Sequence, residues 1–166
     1  MKSKLAVLAA VLTLASASAQ AAEWWWVAAT SDNGGIFYAD RRVRTEVIGQ
    51  RTIRLVWAEL HFVAPTKYGT AVVKTLEQFD CSQREAATKA SHDYTRNGEH
   101  LRGGTIPKVR YEPVIPGTNY ELLLRFACNA ERGAGKAEFT VQGSTFYRVE
   151  DPAEDALKEW AAPKAP

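Results

Sequence analysis

Two cysteines and three histidines carry most of the chemistry this chain could perform, and their spacing narrows it. Cys81 and Cys128 stand apart, without the neighbouring Cys or His that a zinc site requires. His61, His92 and His100 are the only histidines, and His92-Asp93 is a neighbour pair that does not make a base with its orienting carboxylate. There is no G-x-S-x-G elbow, no H-E-x-x-H and no phosphate loop; "NGG" and "RGG" are too short and lack a strand running into a helix. Asp40 and Asp80 lie just after aromatic residues at the ends of apolar runs, where a carboxylate serves a turn or pairs with an arginine. No catalytic site, metal site or cofactor is expected from this set. For Cys81 and Cys128 two states stay open, a disulfide or two buried thiols.

The compartment bears on that choice. Met1-Lys2-Ser3-Lys4 is a basic head, Leu5 to Ala15 is an apolar run, and "SASAQAA" is a small-residue tail. This is the pattern of a secretory signal, too short to span a bilayer. Residues 1–21 are read as the signal peptide, with cleavage after Ala19 or Ala21. Neither cut leaves a cysteine at the new N-terminus, so no lipid anchor is expected, and no later segment reaches the ~20 apolar residues of a spanning helix. An oxidising destination favours the disulfide. Lys2 and Lys4 leave with the signal, so the basic count falls from 21 to 19 and matches the 19 acidic residues. A neutral mature chain gives no support to a nucleic-acid partner.

The elements that must position these residues are mostly strands. "EWWWVAAT" and "GIFYADRR" flank the turn cluster "SDNGG", a hairpin signal with glycines free to take positive φ. "RTIRLVWAELHFV" places Ile53, Leu55, Trp57 and Glu59 on one side and Arg54, Val56, Ala58 and Leu60 on the other, as a central strand covered in part on both faces would. "TAVVKTLEQFDC" continues the β pattern, with Val73, Leu76 and Phe79 as buried positions and an irregularity that a bulge would explain. "PGTNYELLLRFACN" fits either period, but its flanks decide for a helix. Pro116-Gly117 is a turn, Thr118 with Glu121 forms a capping box, and Glu121 and Arg125 are an i, i+4 pair. Tyr120, Leu123, Leu124, Ala127 and Cys128 then share one face. In "SQREAATKASHDYTRNGEHLRGG" the alanines and Ser82 with Glu85 favour a helix, whereas Asn97-Gly98 is a hairpin signal.

"IFYAD", a long strand centred on "VW", "FDC", the turn "NG", and "PVIPGT" leading through Glu121 into "LRFAC" together resemble the surface-adhesin protein E family of bacterial envelope proteins, over roughly Trp26 to Asn129. The resemblance implies an antiparallel sheet with a helix tethered to it by the Cys81–Cys128 disulfide, and it implies strand for Ser82 to Tyr94. It also implies an adhesin that binds host matrix and serum proteins. The family's namesake is held at the surface by a lipid, a feature this sequence does not share at its signal junction.

Beyond Cys128, "EFTVQGSTFYRV" reads as a hairpin turning at Gly143-Ser144, and a short helix follows, capped by Asp151 with Pro152 in its first turn. Ala153, Ala156, Leu157, Trp160 and Ala161 form its apolar stripe, suited to docking on its own domain or to pairing as a homodimer. Alternation sends Trp24 and Trp26 to one face and Trp25 to the other, so that large rings either anchor a partner or are shielded by that late helix. The expected fold is α+β, an antiparallel sheet of about five or six strands with one disulfide-tethered helix, plus the C-terminal hairpin and short helix. The expected organisation is the signal at 1–21, an adhesin-E-like domain at 22–130 and an extension at 131–166. The expected function is non-catalytic, an exported envelope protein in the periplasm or at the cell surface that binds a protein or glycan partner. The alternative is a periplasmic accessory or assembly protein.

Overall fold

The computed structural model describes residues 21–30 and 34–161; residues 1–20 of the signal expected at 1–21, Ser31 to Asn33 of the expected turn "SDNGG" and the "APKAP" end lie outside these residues. The tryptophan run and "GIFYAD" pair as antiparallel strands β1 (Trp24–Ala29) and β2 (Gly35–Asp40), with a bulge between Trp26 and Ala28. Gly35 lies within β2, where a Cβ would come to 2.7 Å from the carbonyl oxygen of His61, so close approach of two backbones is its role. β3 (Arg44–Ile48) turns into β4 (Arg51–Phe62), the longest strand. One edge of β4 is shared by β3, opposite Arg51 to Leu55, and β2, opposite Ala58 to Phe62. Its other edge carries β5 (Val72–Asp80), which is followed outward by β6 (Glu85–Tyr94) and β7 (His100–Thr105); the short β8 (Glu112–Pro113) also pairs with β6.

After α1 (Asn119–Asn129), β9 (Glu138–Val141) and β10 (Ser144–Arg148) form the late hairpin, and β10 pairs with β1. The turn sits at Gln142-Gly143, one residue earlier than expected, with φ of +48° and +78°, the left-handed pair that a tight hairpin requires. All ten strands among the described residues therefore belong to one sheet, ordered β7-β6-β5-β4-β2-β1-β10-β9 with β3 and β8 alongside. This corrects the count of five or six. The extra strands are short or exposed: β7 is exposed throughout and β8 has two residues. Such strands bury no face, so they leave no alternation to read.

One face of this sheet carries the main core. Trp25, Val56, Ala58 and Phe79 meet Leu123, Leu124, Phe126 and Ala127 of α1, together with Phe139 and Phe146 of the late hairpin. Gly133, in the 3₁₀ turn after α1, has Trp25 and Phe139 each 3.0 Å from where a Cβ would stand, so a side chain there would push the two rings apart. Thr118 caps α1 by accepting the Glu121 N–H, at 3.3 Å. The Glu121 carboxylate turns back to accept from the Gly117 N–H at 2.8 Å and is paired with Arg125 and Arg84. Cys128 at the end of α1 is bonded to Cys81 just past β5, with Cα atoms 5.9 Å apart.

Residues 85–94 are strand rather than helix, and Ser82 to Arg84 form the turn into it. Pairing on both edges, with β5 on one side and β7 and β8 on the other, satisfies backbone groups that local helix propensity would have satisfied within the segment. The bulge expected in β5 is instead in its neighbour: Leu76 faces Ala90 and Glu77 faces Thr88, leaving Lys89 of β6 as the extra residue, and the alternation of β5 looked broken because Leu76 and Phe79 are buried on opposite faces. Val73 is half-buried, while Leu76 and Phe79 are buried as expected.

The opposite face is covered at its two ends. Ile53, Leu55, Leu76 and Ala90 pack under Tyr111 at one end. At the other, α2 (Pro152–Ala161) packs Ala156 and Trp160 against Ile36, Tyr38, Trp24 and Trp26. Asp151 caps α2, accepting from the Ala153 N–H at 2.8 Å. The docked side is Pro152, Ala156 and Trp160, with Tyr38 donating to Asp155 at 2.9 Å, whereas Ala153, Leu157 and Ala161 of the expected stripe face solvent. The i, i+4, i+8 row was displaced because a buried proline and an aspartate partnered by tyrosine count toward the docked face.

Candidate functional site

Between these two ends the second face stays open. Here lies a groove of about 520 Å³, floored by Glu59, His61 and Lys74, flanked by Trp24 and Tyr94, and walled by the first turn of α2 at Pro152 and Ala153. A second hollow of about 300 Å³ shares Trp24, Lys74 and Tyr94 and extends the groove to Trp57, Asp40 and His92. Strand alternation explains the gathering. Side chains two apart on β4, at 57, 59 and 61, share this face, and the ladder places Tyr38 opposite Glu59, Glu59 opposite Lys74 and Lys74 opposite His92. A transverse row across β2, β4, β5 and β6 thus carries a phenol, a carboxylate, an ammonium and an imidazole.

The carboxylate holds the row together. Glu59 is 4 % exposed, accepts from Lys74 Nζ at 2.6 Å and lies 2.7 Å from His61 Nε2. Burial pushes its pKa up, but the hydrogen bonds to His61 and Lys74 outweigh that penalty and hold it below the usual glutamate value. The Lys74 ammonium also sits 5.6 Å from the Tyr94 ring centre and 6.0 Å from that of Trp24, within cation–π range of both. His61 meets the Tyr38 ring edge-on at 5.3 Å. Burial and the nearby Asp155 carboxylate raise the Tyr38 hydroxyl well above the ordinary tyrosine value, so it remains a donor to Asp155. On the rim, Arg42 grips Asp40 through two nitrogens at 3.0 and 2.6 Å, and Arg96 donates to the Phe62 and Val63 carbonyls while lying 5.1 Å from the Trp160 ring centre.

Of the three histidines, two meet and one stands apart. His61 belongs to the groove floor, His92 to its margin, and His100 of β7 lies 3.3 Å from His92. Among the described residues, no group of three or more His, Cys, Asp or Glu is placed to hold a metal ion. Asp40 and Asp80 act as their positions indicated, each paired with an arginine, and Asp80 also accepts from the turn residue Ser82. Cys81 and Cys128 meet on the α1 side, away from the groove. Of the tryptophans, Trp25 is fully buried, whereas Trp24 and Trp26 are half-buried against α2. Sequence reasoning did not single out Glu59 with Lys74. The available signal was a glutamate and a histidine on the side of β4 that also carries Ile53, Leu55 and Trp57, because a buried strand face admits charge only where a partner waits.

The model of the family described as surface-adhesin protein E matches residues 25–129. The chain belongs to the surface-adhesin protein E family. Its matched span runs from β1 through α1 and includes both cysteines. No curated protein and no solved structure matches the chain. Among the described residues no helix is long and apolar enough to cross a membrane. Within this adhesin E chain the groove is of mixed origin: Trp57, Glu59, His61, Lys74, His92 and Tyr94 lie inside the matched span. Trp24 and the α2 wall lie outside it.

Proposed function

We propose that the protein is an exported, adhesin-like binding protein of the bacterial cell envelope, acting on a host or matrix partner without chemistry of its own. The observation that supports this most directly is adhesin E membership over residues 25–129. An open face bearing half-exposed aromatic rings beside paired charges suits recognition, because such rings offer large contact area at little entropic cost. The extension at 131–166 is proposed to serve that face, since α2 forms one wall of the groove.

Solid-phase binding of the purified mature protein to a panel of matrix and serum proteins tests the reading, with oxidised and reduced protein compared. Saturable binding that weakens on reduction is the expected outcome; absence of binding across the panel argues against it. Protease treatment of intact cells addresses display. Digestion of the protein on whole cells agrees with a surface adhesin, whereas protection until the outer membrane is opened would move the role to a periplasmic accessory protein.

A further inference from the structure

We propose that the groove between the open sheet face and α2 is a binding site for a neutral oligosaccharide. The inference rests on the reading of the protein as a binding protein and names the ligand class its groove would take. Three aromatic rings line the hollow, Trp24, Trp57 and Tyr94, and Trp57 is 38 % exposed. The C–H faces of a pyranose ring are apolar and its rim is hydroxylated. A ligand of that kind needs flat rings to lie on and, beside them, groups able to both donate and accept.

Charge decides between a neutral ligand and an ionic one. Lys74 is already held by Glu59 at 2.6 Å, and Asp40 is held by Arg42. Asp151, on the α2 wall, accepts from the N–H groups of Ala153 and Glu154. Arg96 and Glu150, of opposite sign, also line the groove, so a ligand of either charge would meet repelling groups as well as attracting ones. Sugar hydroxyls carry no charge to be repelled. The Lys74 ammonium has three N–H groups and can donate again while bonded to Glu59, and a carboxylate with two oxygens can accept again. The same ion pair fixes both side chains before a ligand arrives, which lowers the ordering cost of binding. Lys74 also lies 6.0 Å from the Trp24 ring centre and 5.6 Å from that of Tyr94, so one polar contact would place a sugar beside the aromatic surfaces. Trp24 and the α2 wall of the site lie outside the span that the family model matches, and Trp57, Glu59, Lys74 and Tyr94 lie within it.

The test applies the purified mature protein to an array of neutral oligosaccharides of hexose and N-acetylhexosamine, with sialylated and sulfated counterparts. The expected result is retention of neutral glycans, with Trp57→Ala weakening the best of them about tenfold or more and Leu157→Ala, on the outer side of α2, leaving binding unchanged. Titration of the unaltered protein followed by NMR provides a readout independent of any variant: the indole N–H signals of Trp24 and Trp57 should shift, and that of Trp25, buried on the other face, should not. Retention of charged glycans alone, or neutral binding that leaves both groove indoles unmoved, overturns the proposal. Matrix-protein binding that persists in Trp57→Ala while no glycan is retained would overturn the groove assignment and leave the adhesin reading standing; loss of both kinds of binding from the unaltered protein would remove both.

Discussion

At the end of β5, the Asp80 carboxylate accepts from the backbone N–H groups of Ser82 and Gln83, each at 3.0 Å, from the Ser82 hydroxyl at 2.6 Å and from Arg51 at 2.6 Å. Burial works against its ionisation, yet these four donors prevail and bring its pKa down to about 2 from 3.8. A carboxyl depressed in the folded state stabilises above its unfolded pKa, and that contribution is lost as pH falls from about 4 to about 2. Asp80→Asn is expected to lower stability at pH 7 by ~1–3 kcal/mol. In urea titrations the gap between the two proteins should close as pH approaches 2. Three residues earlier, Glu77 shifts the other way. Burial pushes its carboxyl above the usual value, and donation from Tyr120 and Thr88 only partly offsets this. Its ionised form is therefore a liability in the fold, present above the raised pKa and relieved as pH falls through it. Glu77→Gln keeps an acceptor and removes the charge, so its unfolding free energy at pH 8 should match or exceed that of the parent, and a clear loss there would contradict this account. Neither shift is legible in "LEQFDC": a turn or arginine partner was expected for Asp80 but not its four donors, and Glu77 looks like an ordinary solvated acid.

Among the elements, α1 was the most legible. Its capping residues, its i, i+4 pair and its apolar face all lie within one short stretch, and helix signals of that range survive folding unchanged. The disulfide adds a constraint on the unfolded chain, closing a separation of 47 residues, which corresponds to ~4 kcal/mol in the loop-entropy description. Replacing both cysteines with serine should lower the thermal midpoint by several degrees or more while α1 retains its helical signature, since Leu123, Leu124 and Phe126 still dock. α2 was legible as a helix but not in its docked side. Ala156 is fully buried beneath Ile36 and Tyr38, so Ala156→Asp should release α2 from the sheet. Hydrogen exchange would report this as fast exchange across residues 155–161, with the amides of β4 and β5 still protected. Uniform loss of protection would mean instead that α2 is required by the whole fold. β6 was read as strand only through the family resemblance, because its alanines and the Ser82–Glu85 spacing imitate a helix start.

For the molecule as a whole, one sheet carries different duties on its two faces. The α1 side buries rings and aliphatic groups and accounts for cohesion; the α2 side leaves a hollow between two small apolar clusters. The late hairpin joins that sheet through β10 and β1 and places Phe139 and Phe146 in the main core. A chain ended after Asn129 would expose Trp25 on one face and Trp24 and Trp26 on the other. Such a truncation is expected to aggregate or bind a hydrophobic dye, as light scattering and dye fluorescence would show; a soluble, cooperatively unfolding fragment would argue that the extension is an appendage. From the sequence alone came the partner of each cysteine if they bonded, the capped α1, the first hairpin, the two-sided β4 and the arginine-paired aspartates. Each depends on neighbours a few positions away or, for the cysteines, on there being no other candidate. Only the tertiary structure decided that Glu59 faces Lys74, that ten strands among the described residues share one sheet and which side of α2 is buried. These depend on register between segments remote in the chain, where a shift of one residue would turn every groove side chain to the other face.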